Sequence, residues 1–219
     1  MKNYLLLLLL ALPLAVKAQN VHFKIGGGLS SHYGSSSQVI GAFKIGVGYE
    51  LELSQKLTFT PGIEMYGKGW KDPNATVFCF DDQGKPLYND ETGEPLTGIM
   101  NRSATQNYLE VPLLFSYFLR TGESRYVVFS AGPYVAYGIS GKQKTKGDQH
   151  QQGVNRFYYE NKTFDEPSTH RFDWGVQTFI GYQFSTSFTI GLEADWGVAK
   201  FTDNGKRNVS VLISLGYKL

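Results

Sequence analysis

Hydrophobic and polar residues alternate along this chain with a period of two from residue 20 onward. The alternation runs in eight stretches, each bounded by turn-forming residues. These stretches are residues 21–33, 38–53, 57–70, 105–119, 126–140, 171–184, 188–201 and 208–219. Because alternate side chains of a strand point to opposite faces, the pattern predicts eight β-strands, each with one apolar and one polar face.

The stretch 188–201 shows the alternation clearly. One face carries apolar residues and the other carries polar or small residues. The apolar face holds Phe188, Ile190, Leu192, Ala194, Trp196 and Val198, and the other holds Thr189, Gly191, Glu193, Asp195 and Gly197.

Alternation alone leaves two architectures open. A soluble, lipocalin-like barrel is apolar inside, whereas a membrane barrel is apolar outside. The stretches are longer than the roughly 5–6 residues typical of soluble strands, which favours the membrane barrel. Glycine and serine also crowd the polar face, as expected of a narrow barrel interior.

Aromatic residues recur eight positions apart on the apolar face. At about 3.3 Å per residue and a strand tilt of about 40°, eight residues rise roughly 20 Å. That rise is close to the apolar band of about 25 Å that lies between the two aromatic girdles of an outer-membrane barrel. The residues predicted to form these girdles are Phe129, Tyr137, Trp174, Tyr182, Phe188 and Trp196.

The connections between the stretches alternate in length. Short turns at 54–56, 121–125 and 185–187 fall at one end, and long segments at 71–104 and 141–170 fall at the other. Short periplasmic turns and long outer loops are typical of bacterial outer-membrane barrels. We therefore predict an all-β, eight-stranded, antiparallel up-and-down transmembrane β-barrel with two long extracellular loops.

The N-terminus has the pattern of a secretory signal peptide. Met1-Lys2-Asn3 precedes an apolar run that ends at Val16, and small residues stand at Val16 and Ala18. The apolar run is shorter than the roughly 20 residues of a transmembrane helix. We expect cleavage after Ala18, so that residues 1–18 are the signal peptide and 19–219 form the outer-membrane domain.

Composition excludes several classes of function. The chain has 21 basic and 19 acidic residues, a net charge of +2, and this balance gives no nucleic-acid footprint. The single cysteine, Cys79, excludes an intramolecular disulfide framework and a cysteine-cluster zinc site. We predict no cofactor and no metal site.

Four sequence blocks carry a family resemblance. They are Tyr108-Leu109-Glu110-Val111-Pro112-Leu113-Leu114, Ala131-Gly132-Pro133-Tyr134-Val135-Ala136-Tyr137, Phe172-Asp173-Trp174-Gly175 and Leu215-Gly216-Tyr217. With these blocks the chain resembles the outer membrane β-barrel family common in Bacteroidetes, whose members are often labelled PorT-like or porin family. The resemblance implies fold and location but no substrate. The chain departs from many outer-membrane barrels at its last residue, which is Leu219 and not phenylalanine.

Charged residues on the polar faces are predicted to meet inside the barrel. An eight-stranded barrel has an interior just wide enough for its side chains, so these charges should pair in a packed lumen and not line a diffusive channel. A proton or ion path through them is the alternative. The set is Lys24, Lys44, Glu50, Glu52, Glu64, Lys68, Glu110, Asp173, Glu193, Asp195 and Lys218, and parity adds Arg171.

No catalytic motif stands out, and we predict that the protein is not an enzyme. The chain has no H-E-x-x-H, no G-x-S-x-G and no P-loop, and the glycines at 26–28 indicate close strand packing. One alternative is a membrane-embedded lipid hydrolase at the outer rim, in which His32 acts with one of the nearby serines, Ser30, Ser31 or Ser35–Ser37, and with an acid from a neighbouring strand. The other alternative is the secreted lipocalin-like binder.

The two long segments carry opposite charge. Segment 71–104 is acidic and holds an imperfect repeat, 82–88 and 91–97, which indicates a turn-bearing hairpin. Calcium binding is conceivable there, but the spacing departs from an EF-hand loop. Cys79, which is flanked by Phe78 and Phe80, is expected to be packed in this segment and not reactive. Segment 141–170 carries Lys142, Lys144, Lys146, Arg156 and Lys162.

The predicted partners follow from these loops. We expect the loops to pair with each other, or to contact membrane lipid, lipopolysaccharide or an envelope protein. The predicted function is that of a non-enzymatic outer-membrane protein that acts through its outer loops in surface contacts or envelope integrity.

Overall fold

The computed structural model describes residues 20–81, 83, 85–148 and 156–219. The predicted signal peptide lies outside these residues. Within them, twelve antiparallel strands and one short 3-10 turn, Thr163–Asp165, are present, and no helix is long and apolar enough to cross a bilayer. The strands are β1 (Val21–Tyr33), β2 (Ile40–Tyr49), β3 (Leu51–Ser54), β4 (Leu57–Lys71), β5 (Ala75–Phe78), β6 (Thr97–Gly122), β7 (Arg125–Ser140), β8 (Lys142–Asp148), β9 (Arg156–Lys162), β10 (Phe172–Gln183), β11 (Phe188–Gly197) and β12 (Arg207–Lys218).

Eight of these strands close into a ring. Their order is β1-β2-β4-β6-β7-β10-β11-β12, and β12 pairs back with β1, for example through Gly27 opposite Ile213. Each strand pairs with the ring strands that precede and follow it along the chain. The predicted all-β antiparallel structure is confirmed, because each of the eight alternating stretches forms one ring strand.

The ring is polar inside and apolar outside. On β12, Val211, Ile213 and Leu215 are exposed on the outer face, whereas Ser210 and Ser214 are buried on the inner face. A lipocalin-like binder needs the opposite arrangement, with an apolar interior. The lipocalin-like alternative is therefore wrong.

The two ends of the ring differ in their connections. The short-turn end holds the links between β3 and β4, between β6 and β7, and between β10 and β11. The long-loop end holds the segments 72–96 and 141–171.

The long segments contain more β-structure than the sequence predicts. Residues 71–104 and 141–170 were expected to be loops, yet they contain β5, the first part of β6, and the hairpin of β8 and β9. These strands extend the sheet beyond the ring. Their alternation is hidden in the sequence because polar residues stand on both faces, as in Asn101-Arg102-Ser103.

The repeat in segment 71–104 forms two tight turns, as its hairpin prediction expects. The backbone amide of Asp81 donates to the carbonyl of Lys85, and that of Asn89 donates to the carbonyl of Glu94. In addition, the amide of Leu96 donates to the carbonyl of Leu87, on the two sides of the second turn. Cys79 is packed beneath this hairpin with 1% of its surface exposed, as predicted.

The glycines of β1 differ in what surrounds them. A Cβ on Gly28 would lie 2.1 Å from the carbonyl oxygen of Val211 in β12, which is closer than atoms can approach. At Gly27 a Cβ would meet nothing within 4 Å. Close strand packing therefore explains the glycine at 28 but not the one at 27.

Candidate functional site

Lys44 lies at the centre of a buried ionic network in the lumen. Its side chain is fully buried, and its Nζ contacts carboxylates from three other strands of the ring. A lysine in this environment is tolerated only where carboxylates replace its hydration. The distances are 3.1 Å to Glu64, 3.1 Å to Glu110, 2.6 Å to Glu193 and 2.9 Å to Asp195.

Two further lysines extend the network along the lumen. Toward the long-loop end, Lys68 Nζ lies 3.1 Å from Glu110 and 3.5 Å from Asp173. The same amine lies 4.4 Å from the ring centre of Tyr66 and 4.7 Å from that of Tyr134, so it also makes cation–π contacts. Toward the short-turn end, Lys24 Nζ lies 2.5 Å from Glu64 and 2.9 Å from Glu193.

Neutral side chains donate hydrogen bonds to the carboxylates. Gln177 Nε2 donates to Glu193 Oε1 at 2.6 Å, and Asn208 Nδ2 donates to Asp173 Oδ2 at 2.8 Å. Ser214 Oγ also donates to Glu193, at 3.2 Å. These contacts hold the carboxylates in place, so the network fills its own part of the lumen with fixed side chains.

The structure brings together eight of the predicted lumen residues. They are Lys24, Lys44, Glu64, Lys68, Glu110, Asp173, Glu193 and Asp195. Glu50 and Lys218 form a separate pair at the short-turn end, where Lys218 Nζ lies 2.5 Å from Glu50.

Two of the predicted lumen residues lie outside the network. Glu52 lies on β3 opposite Thr58 and lines the mouth of the lumen at the short-turn end, where its side chain is exposed. Arg171 lies at the long-loop rim, where it donates to the carbonyls of Gly138 and Phe164. Parity assigns a face to a residue, but it does not show where the wall of the ring ends.

Aromatic side chains close the lumen above the network at the long-loop end. The rings of His32, Trp70 and Phe201 pack against one another, with centres 4.5 Å apart for His32 and Trp70, 5.2 Å for His32 and Phe201, and 5.1 Å for Trp70 and Phe201. Phe164 packs against Phe201 and against Tyr108, and all of these side chains are buried. The sequence pattern does not predict this layer, because Phe164 and Phe201 lie in connections between ring strands.

Among the described residues, the ring nitrogens of His32 contact neither the serine nor the acid that the hydrolase alternative requires. Its Nε2 lies 3.1 Å from Asn208 Oδ1 and 3.3 Å from Gln106 Nε2, and neither amide is a nucleophile or an acid. The hydroxyl of Ser30 donates to the carbonyl of Gly69, and that of Ser31 donates to the carbonyl of Ser37. Within the described part of the chain, His32 therefore serves the packing of the aromatic layer.

The other half of the lumen is an open cavity. It has a volume of about 620 Å³, opens at the short-turn end, and ends at Lys24, Glu64 and Glu193 of the network. Hydroxyl and small side chains such as Thr58 and Ser116 line its wall. The sequence did not predict this cavity, because the pairing register decides which small residues share one level of the lumen.

The six predicted girdle residues all lie on the outer face. The register places Tyr137, Trp174 and Trp196 toward the long-loop end, since Tyr137 pairs with Phe172 at the start of β10. Phe129, Tyr182 and Phe188 lie toward the short-turn end, since Phe188 pairs with Tyr217. The outer face thus carries aromatic side chains near both ends of an aliphatic belt.

The acidic turns show no metal centre. Among the residues whose placement is described, no three His, Cys, Asp or Glu side chains converge on a position where an ion could bind. Asp81 instead caps a turn, since its Oδ1 accepts hydrogen bonds from the amides of Gln83 and Lys85.

Known structures resemble this fold only distantly. Neisserial surface protein A is 11% identical, with a TM-score of 0.42, over 91% of this chain and 97% of that chain. The N-terminal barrel domain of Pseudomonas aeruginosa OprF is 11% identical, with a TM-score of 0.35, over 92% and 98%. Ail, the attachment invasion locus protein of Yersinia pestis, is 9% identical, with a TM-score of 0.36, over 91% and 96%.

Sequence comparison identifies the family. No curated protein matches the chain. The family model for the outer membrane protein beta-barrel domain matches residues 15–203, which is most of the chain. Together with the closed ring and its apolar outer face, this match shows that the chain belongs to the outer membrane protein beta-barrel domain family and is located in the bacterial outer membrane.

Proposed function

We propose that the protein is a non-enzymatic, eight-stranded transmembrane barrel that acts through its outer loops in surface contacts or envelope integrity. The observation that carries this proposal is the blocked lumen, in which Lys44 and Lys68 are held by carboxylates beneath the layer of His32, Trp70 and Phe201. A lumen filled in this way offers no route for a solute. The outer surface and the strands that extend from the ring are then the parts of the protein that can carry its function.

The orientation follows from the connections. In bacterial outer-membrane barrels the short turns are periplasmic and the long loops face the cell exterior. The long-loop end of this ring is therefore the outer end, and the extended strands β5, β8 and β9 stand at the cell surface. The cavity of about 620 Å³ then opens toward the periplasm.

The outer face supports the membrane part of the proposal. Trp174 and Trp196 at the outer end, and Tyr182 and Phe188 at the inner end, are placed to lie at the two membrane interfaces. The aliphatic side chains between them, such as Ile190 and Leu192, are exposed and suit the hydrocarbon core.

Shortening an outer segment tests this function. Residues 79–96 contain the two tight turns and lie outside the ring, so replacing them by a short glycine-serine linker should leave the barrel intact. In a strain that lacks the native gene, we expect this variant to reach the outer membrane in normal amounts but fail to restore resistance to detergents and large antibiotics. The matched control is Gly27→Ala, which should restore resistance fully.

A different outcome of this experiment would contradict the proposed function. If the shortened variant restores resistance as well as the wild type does, while its amount in the outer membrane is normal, segment 79–96 is not the acting surface. If, in addition, shortening β8 and β9 has no effect, the proposal that the protein acts through its outer loops is overturned.

A further inference from the structure

Five lysines lie on one face of the sheet at the outer end of the barrel. The pairing register sets Lys71 of β4 opposite Ser103 of β6, and Ser103 opposite Lys144 of β8. On β9, Glu160 lies opposite Lys144, and Lys162 lies opposite Lys142. The group, which we name the lysine patch, consists of Lys71, Lys142, Lys144, Lys146 and Lys162.

The patch faces away from the barrel axis. Residues that alternate with it, such as Ala104, Gln106 and Gln143, are buried on the inner side of the sheet. The side chains of Lys142 and Lys162 are 64% and 81% exposed. The patch is therefore a solvent-facing continuation of the outer wall.

Positive charge exceeds negative charge on this surface. Lys142 lies 2.7 Å and Lys144 lies 3.7 Å from the same carboxylate, that of Glu160. Lys162 lies 3.9 Å from Asp165, which Arg171 also contacts at 3.5 Å. Basic groups thus share acidic partners, and the surface suits a ligand with several negative charges.

The patch lies directly above the lipid-facing belt. Below it on the same face, Leu109, Tyr137 and Ile139 are exposed apolar side chains. Lys142 follows Tyr137 by five residues, or about 13 Å along the barrel axis at about 3.3 Å per residue and a tilt of about 40°. The long lysine side chains at this height can reach the headgroup region just outside the hydrocarbon core.

We propose that the lysine patch binds the phosphate groups of a phosphorylated glycolipid of the lipopolysaccharide class in the outer leaflet. The acyl chains of this lipid pack against Leu109, Tyr137 and Ile139, while its phosphates lie among the lysine amines. The inference rests on the proposed orientation, because only the outer leaflet adjoins this end of the barrel. Continuity of a basic surface with an apolar belt favours a lipid over a soluble polyanion, which needs no such belt.

The test compares two triple variants in phosphatidylcholine vesicles with and without rough lipopolysaccharide. The first variant, Lys142→Ser with Lys144→Ser and Lys162→Ser, removes the centre of the patch. The control, Lys56→Ser with Lys85→Ser and Lys200→Ser, removes three exposed lysines that lie outside it. Gel mobility with and without boiling shows first that both variants form the barrel.

We expect lipopolysaccharide to raise the unfolding temperature of the wild type and of the control but not that of the patch variant. Its affinity for the patch variant should fall by about tenfold or more, since each lysine near a membrane surface adds to the attraction for anionic lipid. Lipopolysaccharide stripped of its phosphates should stabilise the wild type less. High salt should reduce the stabilisation of the wild type only in part, because the acyl contacts are not screened.

Other outcomes overturn the inference. If both triple variants respond to lipopolysaccharide as the wild type does, the patch does not bind it. If the patch variant loses affinity for heparin, and lipopolysaccharide stabilises neither it nor the wild type, the patch binds soluble polyanions and the lipid proposal is wrong. If the wild type shows no heat-dependent mobility, the proposed barrel function itself fails, and that result is distinct from the other two.

Discussion

The side chain of Lys44 shows why single residues matter in this lumen. Its amine is held by four carboxylates and has no exposed surface. Coulomb attraction in this setting mainly offsets the cost of removing each charge from water. Loss of one partner therefore leaves buried charges without compensation, which costs far more than the pair contributes.

Lys44→Met is expected to destabilise the barrel by about 3–5 kcal/mol, because Asp195 loses the amine that it contacts and Glu110 keeps only Lys68, both in the part of the lumen away from the cavity. Lys24→Met should cost clearly less, since Lys24 lines the open cavity and water can solvate Glu64 and Glu193 there. Urea unfolding in lipid vesicles, followed by tryptophan fluorescence, measures both free energies of unfolding. Equal costs for the two variants would contradict the division of the lumen into a dry and a wet half.

Adjacent glycines on β1 give a second residue-scale prediction. Gly28→Ala places a methyl group against the carbonyl of Val211, so the pairing of β1 with β12 must shift, at a cost of about 1–3 kcal/mol. Gly27→Ala points into open space and should change stability by less than about 0.5 kcal/mol. The same unfolding experiment compares the two variants, and a larger loss for Gly27→Ala would show that the register of β1 is wrong.

For single residues, the sequence predicts which face of a strand a side chain lies on better than it predicts which side chain it contacts. A period of two is enough to place Lys44, Glu110 and Asp195 on the inner side, because strand geometry fixes the alternation. Which carboxylate contacts which lysine depends on the stagger between strands. The alternation of residues along the sequence does not determine that stagger. Glu52 and Arg171 lie outside the network because parity does not show where the wall of the ring ends.

Strand β6 shows what limits prediction at the scale of elements. It runs for 26 residues, of which the sequence predicts only the apolar-patterned part at 105–119. The part from Thr97 to Arg102 pairs with β5 and β8, outside the ring. Its pattern is weak because neither face contacts lipid along its whole length.

The hairpin at residues 79–96 is expected to behave as a folded element and not as a loose loop. Cys79 is buried beneath it, so a maleimide should label the folded protein slowly and the unfolded protein at once. Leu87→Ala should speed the labelling, because Leu87 is half-buried and its amide donates to the carbonyl of Cys79, so that loss of its side chain should loosen the hairpin next to the thiol. The control is Ser36→Cys in a Cys79→Ser background, which should react immediately. Rapid labelling of Cys79 in the wild type would refute the packed hairpin.

Closure of the ring is a property of the whole molecule. Because β12 pairs with β1, the backbone hydrogen bonds of the eight strands have no free edge inside the membrane. A closed barrel of this kind resists detergent until it is heated. Boiled and unboiled samples of the mature protein from an outer-membrane fraction should therefore migrate differently on a gel, and identical mobility would argue against a closed barrel.

The blocked lumen predicts the electrical behaviour of the molecule. Water-filled channels belong to barrels of about 16 strands or more, and here side chains occupy the lumen from Lys44 to Phe201. Planar bilayers that contain the purified protein should show no steady conductance. A stable open current from the wild type would mean that the network and the aromatic layer move aside together.

The ion pairs that cross the lumen also have a mechanical consequence. Lys44 on β2 pairs with Asp195 on β11, and Lys68 on β4 pairs with Asp173 on β10. These ion pairs therefore connect strands that are not neighbours in the ring. Flattening the ring in any direction would stretch some of these ion pairs, which lie in the part of the lumen away from the open cavity. The long-loop half of the molecule should thus keep a round cross-section under lateral tension, while the half that holds the open cavity deforms more easily.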